Sequence, residues 1–215
     1  MNIFLKTALI TFFVFSLGIA IGLWIDLSRS QSVDDALQGT SIELLDITAL
    51  EQLYDTVGNS TEFCDAAIRS NLEFNARIYE EGKQLDREES VAKLSDLTLR
   101  QKRYALLQMQ FWLNAIKLKQ RCDADYDTVA YFYAKTPQSG QKTTQAVQSE
   151  VLSALKNECG NRIMLVPLPL DMSIASIDAV KAQFSINSAP STLVNEKTLL
   201  EGVQTLEKMR SSVTC

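Results

Sequence analysis

Thr7 to Ile25 reads TALITFFVFSLGIAIGLWI, 19 residues without a charged side chain. At 1.5 Å of rise per residue, this run forms a helix about 29 Å long, close to the hydrocarbon thickness of a bilayer. Lys6 precedes it, and Trp24 stands at its far end, where an interfacial aromatic belongs. The rival reading is a cleavable signal peptide, with an apolar core of about 7–15 residues and a small-x-small cleavage site. This run is longer and closes on the bulky Leu23-Trp24-Ile25, so residues 1–27 are read as an uncleaved signal anchor. The expected topology is single-pass, with the N-terminus cytoplasmic and the C-terminal part extracytoplasmic. Gly18 and Gly22 form a G-x-x-x-G, a spacing that lets two membrane helices approach and gives one route to a homo-oligomer through helices. Residues 28–40 are polar and are read as a stalk, partly helical at most.

Histidine is absent, and there are four cysteines. Imidazole catalysis, Ser-His-Asp or Cys-His relays and His metal ligands are therefore excluded. A four-Cys zinc site needs paired Cys-x-x-Cys spacing, and Cys64, Cys122, Cys159 and Cys215 lie far apart. The net charge of −5, without a Lys/Arg stripe interleaved with aromatics, argues against nucleic acid as a partner. No cofactor is expected.

Residues 41–122 contain no proline and only Gly58 and Gly82 as glycines. Ile42, Leu45, Ala49, Leu50, Leu53, Tyr54 and Val57 fall near helical spacing, with Ser41 as a cap and Gly58-Asn59 as a stop. A second helix begins near Ser60 or Thr61, with Thr61 as a possible cap. It carries Phe63, Cys64, Ala67, Ile68, Leu72, Ala76 and Tyr79. A last helix carries Tyr104, Leu107, Phe111, Ala115 and Leu118 and runs to Cys122. The turn between the two lies either at Gly82 or at Ser95–Thr98. If Cys64 and Cys122 are bonded, their Cα atoms lie within about 7 Å, and both must then be about equally far from the turn. That condition selects the turn near 95 and leaves Gly82 inside a long helix. The region reads as a helical hairpin packed on itself and on the C-terminal domain, or as a coiled-coil-like partner surface. Asn59-Ser60-Thr61 matches a glycosylation sequon, a short and unspecific pattern.

All four prolines lie beyond Cys122. Thr128 to Ala134 is a β-rich apolar run. A helix is expected from Gln141 to Asn157, with Ala146, Val147, Val151, Leu152 and Leu155 along one side. Ile163 to Leu168 reads as a strand, Ile174 to Gln183 as a helix, and Ser191–Val194 and Thr198–Glu201 as two short strands about a turn. Val203 to Arg210 reads as a closing helix. Strand–helix–strand and then helix–hairpin–helix is an α/β domain, here assigned residues 123–215. An X-Pro entering a strand places Pro190 at a strand start or an edge. Ser139-Gly-Gln-Lys-Thr143 falls short of a phosphate-binding loop, because Gln141 separates Gly140 from Lys142 and the first glycine is missing.

Phe132-Tyr133-Ala134 stands where the thioredoxin-like superfamily has Phe-Trp-Ala, at the end of its first core strand. The segment Phe184 to Val194, FSINSAPSTLV, resembles that family's Tyr-x-Ile-x-x-x-Pro-Thr-Leu, whose proline is cis. Gly202 matches the glycine after its last strand. The resemblance covers roughly residues 126–210. It implies an architecture of a thioredoxin-like α/β domain, preceded by a helical hairpin region and an N-terminal transmembrane helix. The family's redox enzymes carry Cys-x-x-Cys at the start of the first helix, where the helix N-terminus lowers the thiol pKa. This chain has Lys135 to Lys142, KTPQSGQK, and no cysteine there. Without a thiolate there is no nucleophile for thiol–disulfide exchange.

The resemblance further implies that Cys159 and Cys215 meet at one end of the domain, past the ends of two helices running in the same direction. Two structural bridges, Cys64–Cys122 and Cys159–Cys215, then fit an oxidising exterior. The leading expectation is a protein- or peptide-binding or scaffold module, not an enzyme. Its groove candidates are Thr136, Pro137, Gln138, Ser139, Gln141, Ala189 and Pro190. The alternatives are an accessory thiol–disulfide oxidoreductase or isomerase using Cys159–Cys215, and a structural subunit of an envelope assembly.

Overall fold

The computed structural model describes residues 3–57, 60–88 and 94–215. The chain divides into two compact units, Met1–Gly39 and Thr40–Cys215. The first helix, α1, is Ile3–Val57. Within it Phe4–Ile25 is long and apolar enough to cross a membrane, with a mean hydropathy of 2.4 and its side chains outward. Residues 28–40 correct the expectation of a stalk that is at most partly helical: they are helical throughout, and Ser41 is interior to α1, not its cap. Between Asp26 and Val57 there is no proline and one glycine, Gly39. Extending a formed helix adds one hydrogen bond per residue fixed, without the cost of a new nucleus. The proposed stop at Gly58-Asn59, and with it Asn59 of the sequon, lies outside the described residues.

Helix α2 is Thr61–Glu88 and α3 is Leu94–Cys122. Ser60, not Thr61, caps α2, since the Phe63 N–H donates to its Oγ at 3.2 Å. The cap and the helix N-terminus together hold the Glu62 carboxyl below its ordinary range, through hydrogen bonds from its own backbone N–H and from Ser60. Ser95–Thr98 falls inside α3, and the connection between the helices runs through 89–93, outside the described residues. Cys64 and Cys122 are bonded, with Cα atoms 5.5 Å apart. Gly82 does lie inside α2.

The buried face of α2 is turned from the one its apolar residues suggest. Ala67, Asn71, Phe74, Asn75 and Ile78 are buried, while Ala76 and Tyr79 are exposed. Two asparagines in the stripe mask it in the sequence. Phe74 meets Phe111 of α3 with ring centroids 5.5 Å apart. Gly82 has its own reason. The Tyr104 hydroxyl of α3 donates to the Ile78 carbonyl at 2.8 Å, which brings the ring end over the α2 backbone where a Cβ on Gly82 would collide with it. Gly82→Ala is therefore expected to cost about 1–3 kcal/mol by displacing Tyr104, despite alanine's better helix propensity. Urea unfolding of the full chain in detergent measures this, and an unchanged or raised midpoint would refute the packing argument.

The α/β layers are built from β1 Asp127–Tyr133, α4 Gln141–Cys159, one 3₁₀ turn at Gly160–Arg162, β2 Ile163–Pro169, α5 Ala175–Phe184, β3 Ser191–Val194, β4 Thr198–Glu201 and α6 Leu206–Arg210. The protein is thus mixed α/β with one four-stranded sheet of order β2-β1-β3-β4. β1 and β2 are parallel (Val129 opposite Leu165), β1 and β3 antiparallel (Val129 opposite Val194), and β3 and β4 antiparallel (Leu193 opposite Leu199). Pro167 and Pro169 lie on β2, an edge strand, where a missing N–H costs no ladder bond.

The strand alternation divides the core. Val129, Tyr131, Ile163 and Val194 pack with Leu152, Leu155 and Cys159 of α4 and Met209 of α6. On the other face Phe132 meets Trp112 of α3, edge to face at 6.3 Å, and Trp112 also meets Phe184 of α5 at 6.4 Å. The side of α4 expected to be apolar is only partly so. Leu152 and Leu155 are buried, but Ala146 is exposed and Val147 is 44% exposed. Their place toward the sheet is taken by Gln141, Gln145 and Gln148.

Candidate functional site

The loop from Ala134 to Gly140 leads from β1 into α4, and the Ala189-Pro190 bond that leads into β3 is cis. The glutamines at 141, 145 and 148 recur at spacings of four and three, so they share one helix face. Each satisfies backbone or hydroxyl groups that the loops leave open. Gln141 Nε2 donates to the Ala189 carbonyl at 3.0 Å, and its Oε1 accepts the Gln138 N–H at 3.0 Å. Gln145 brackets Ala134, accepting its N–H at 2.7 Å and donating to its carbonyl at 3.1 Å. Gln148, fully buried, accepts the Gln204 N–H at 2.7 Å and donates to Thr192 Oγ1 at 3.4 Å.

The loop's outer arm is tied down by Asp171. The Lys135 N–H donates to Asp171 Oδ1 at 2.7 Å, and the Thr136 N–H and hydroxyl to Oδ2 at 2.8 and 2.9 Å. Partial burial pushes the Asp171 carboxyl up, but these donors outweigh it and hold the group below its usual range.

The seven groove candidates consequently separate. Gln141 and Ala189 are joined directly, Gln138 joins them through Gln141, and Pro190 is buried behind Ala189. Ser139 is exposed on the same loop. Thr136 is turned to Asp171, and Pro137 lines a different cavity, a cleft of about 660 Å³ bounded by α4, by β1 and β2, and by Tyr79, Gly82, Gln101 and Tyr104 of the helical hairpin. That cleft, and the glutamine face, escaped the sequence reading. The spacing of glutamines 141, 145 and 148 was visible, but polar residues at helical spacing read first as a solvated face.

Cys159 and Cys215 are also bonded, with Cα atoms 5.3 Å apart. Cys159 is buried at the C-terminal end of α4, the opposite end from the loop at 134–140. The partial negative charge of a helix C-terminus disfavours a thiolate there. Asp127 holds the chain just before the bridge, accepting from the Thr214 N–H at 2.6 Å and the Thr214 hydroxyl at 2.7 Å.

No family model, no curated protein and no solved structure matches the chain.

Proposed function

We propose that this chain is a membrane-anchored, extracytoplasmic binding module built on a thioredoxin-like domain without redox chemistry, which takes an extended peptide across the loops around Gln138–Gln141 and Ala189-Pro190. One observation carries it: the loop facing the cis proline holds no cysteine, and all four cysteines are bonded in two pairs elsewhere. The fold reading is supported by the strand order, by the antiparallel β3 just after a cis proline, and by Gly202 at a positive φ of 73° after β4. The extracytoplasmic reading is supported by the apolar helix at Phe4–Ile25 and the two bonded cysteine pairs. Gln141 fills only one lone pair of the Ala189 carbonyl, and the second remains for strand-like pairing with a peptide.

The test places the photo-crosslinker p-benzoylphenylalanine at Ser139, or at Asn157 near the other end of α4, in the full chain in lipid nanodiscs. The peptide probe is reduced, carboxymethylated α-lactalbumin, a permanently extended chain without thiols. An adduct from position 139 and none from 157 is the expected result. Equal labelling at both positions, or none at 139, would overturn the reading. An insulin-reduction assay of the wild type is expected to stay at background, and turnover lost in Cys159→Ser would instead favour the oxidoreductase alternative.

A further inference from the structure

We infer that the seam between α2 and α3 is a binding site for internal water, held between the Asn71 amide and the Tyr126 hydroxyl, and that this water ties α2 to the connection entering the sheet. The inference goes beyond the peptide-binding reading and does not depend on it. Asn71 is fully buried, and neither atom of its amide has a hydrogen-bond partner among the described residues. A buried donor or acceptor left unmade costs the whole desolvation penalty of that group. Turning the amide over changes nothing, since its oxygen and its nitrogen are equally unmatched. Gln108 Oε1 and Asn114 Nδ2 of α3 are buried without a partner as well.

The seam leaves room at this point. The Cys64–Cys122 bond and the contact of Phe74 with Phe111 set the antiparallel register, which puts Asn71 level with Ala115. Ala67 stands one turn before Asn71 on the same face of α2. Ala67 and Ala115 are both buried, so two of the smallest side chains flank the amide. A water in such a place needs two to four polar partners.

Tyr126 supplies the partner outside the amide. It lies in the connection between α3 and β1 and is 4% exposed. Its hydroxyl donates to the Ala115 carbonyl at 2.7 Å, which fixes the phenol and leaves its oxygen as an acceptor. Burial pushes that phenol up, and the Asn71 amide acts in the opposite direction, which sets the amide close to the phenol oxygen. The two groups are therefore near each other without a hydrogen bond between them. Water fits both, because it accepts from Nδ2 and donates to Oδ1 or to the phenol oxygen. A cation would leave Nδ2 unmatched, and an anion would leave Oδ1 unmatched. Tyr126 directly precedes Asp127, the first residue of β1. The water thus joins α2 to the start of the sheet by a route separate from Trp112.

The test uses the full chain in detergent micelles with isotope-labelled asparagine, and reads magnetisation transfer from water to the Asn71 side-chain amide. Cross-peaks of opposite sign in laboratory-frame and rotating-frame spectra are expected, the mark of a water held beside the amide. Cross-peaks of equal sign, which report proton exchange with bulk solvent, or no cross-peak at all would overturn the proposal. Two variants probe the two walls. Tyr126→Phe removes the phenol oxygen, and Ala67→Val fills the space without touching the phenol. Loss of the cross-peak is expected in each variant that keeps the wild-type far-UV circular dichroism. A cross-peak that survives at full strength in either folded variant would also overturn the proposal, and the wild-type spectrum decides it where neither variant folds.

Discussion

Asp127→Ala is expected to destabilise the folded chain by about 3 kcal/mol, at the lower edge of the range for breaking a buried ion pair. Asp127 begins β1, and its side chain is only 6% exposed. It is reached from three directions: Lys119 Nζ of α3 at 3.0 Å, Asn195 Nδ2 of the β3–β4 turn at 2.8 Å, and Thr214 through its N–H and hydroxyl. The variant strands these donors together, in the interior and at the C-terminal tail. Lys119 keeps 32% of its side chain exposed and rehydrates in part, which is why the loss stays near the lower edge.

The same group sets a pH dependence. Burial alone would raise the Asp127 carboxyl, but the Thr214 N–H and hydroxyl, the Asn195 amide and Lys119 outweigh it and bring it from 3.8 to about 2. A carboxyl with a lower pKa in the folded state binds fewer protons there than in the unfolded state. Its stabilisation is complete above about pH 4 and is lost as the pH falls through about 2, a contribution of about 2 kcal/mol. Urea midpoints of wild type and Asp127→Ala in detergent should therefore converge between pH 4 and pH 2. A difference that stays constant over that window would show that the carboxylate's charge is not what holds the three elements together.

Trp112→Ala is expected to have the larger effect, about 3–5 kcal/mol, the range for deleting a large buried aromatic. Trp112 is 1% exposed and joins three parts of the fold. Its ring meets Phe132 of β1 and Phe184 of α5, and its Nε1–H donates to Glu196 Oε1 at 2.9 Å. Glu196 sits in the tight turn between β3 and β4, at a positive φ of 54° beside Asn195 at 51°, and also accepts from the Thr128 hydroxyl at 2.6 Å. Removing the indole opens a cavity between the hairpin and the sheet and takes a donor from a carboxylate that is half-buried.

Trp112→Phe keeps most of the contact area and loses the N–H, and should cost about 1–2 kcal/mol. Because α3 carries both the contact to α2 and the contact to the sheet, wild-type residues 40–215 should unfold in one transition. Trp112→Ala should separate the α2–α3 hairpin, held by Cys64–Cys122, from the sheet. Far-UV and near-UV circular dichroism in urea track the two events, and coincident curves with an unchanged midpoint in Trp112→Ala would contradict this.

The apolar helix at Phe4–Ile25 was legible because membrane insertion depends on length and composition alone, both of which are linear in sequence. The strands and helices beyond Cys122 were legible to within a few residues because prolines, glycines and β-branched runs punctuate them. The Cys64–Cys122 bond was the condition from which the turn was chosen; the bond is present, and Ser95–Thr98, the turn it selected, lies inside α3. Apart from the helical course of residues 28–40, the features hidden in the sequence are polar residues that the assembled layers bury.

Asn71 and Asn75 look like surface positions and are buried, Asn71 with neither polar atom of its amide hydrogen-bonded among the described residues. Gln141 stood out only as a groove candidate and Gln145 and Gln148 not at all, yet the three fasten α4 to three loops. Asp127 went unremarked in the sequence and is a buried junction. An amide or a carboxylate is costly to bury unless its bonds are made. Whether they can be made depends on donors and acceptors that come within about 3 Å only after the layers assemble. The hydrophobic pattern, with the prolines and glycines, thus determined by itself the helices and strands beyond Cys122 and which helix can enter a membrane. Tertiary structure alone decided which polar groups go inside, how the 134–141 loop meets the cis-proline turn, and that a cleft stands open where α4, the sheet and the hairpin meet.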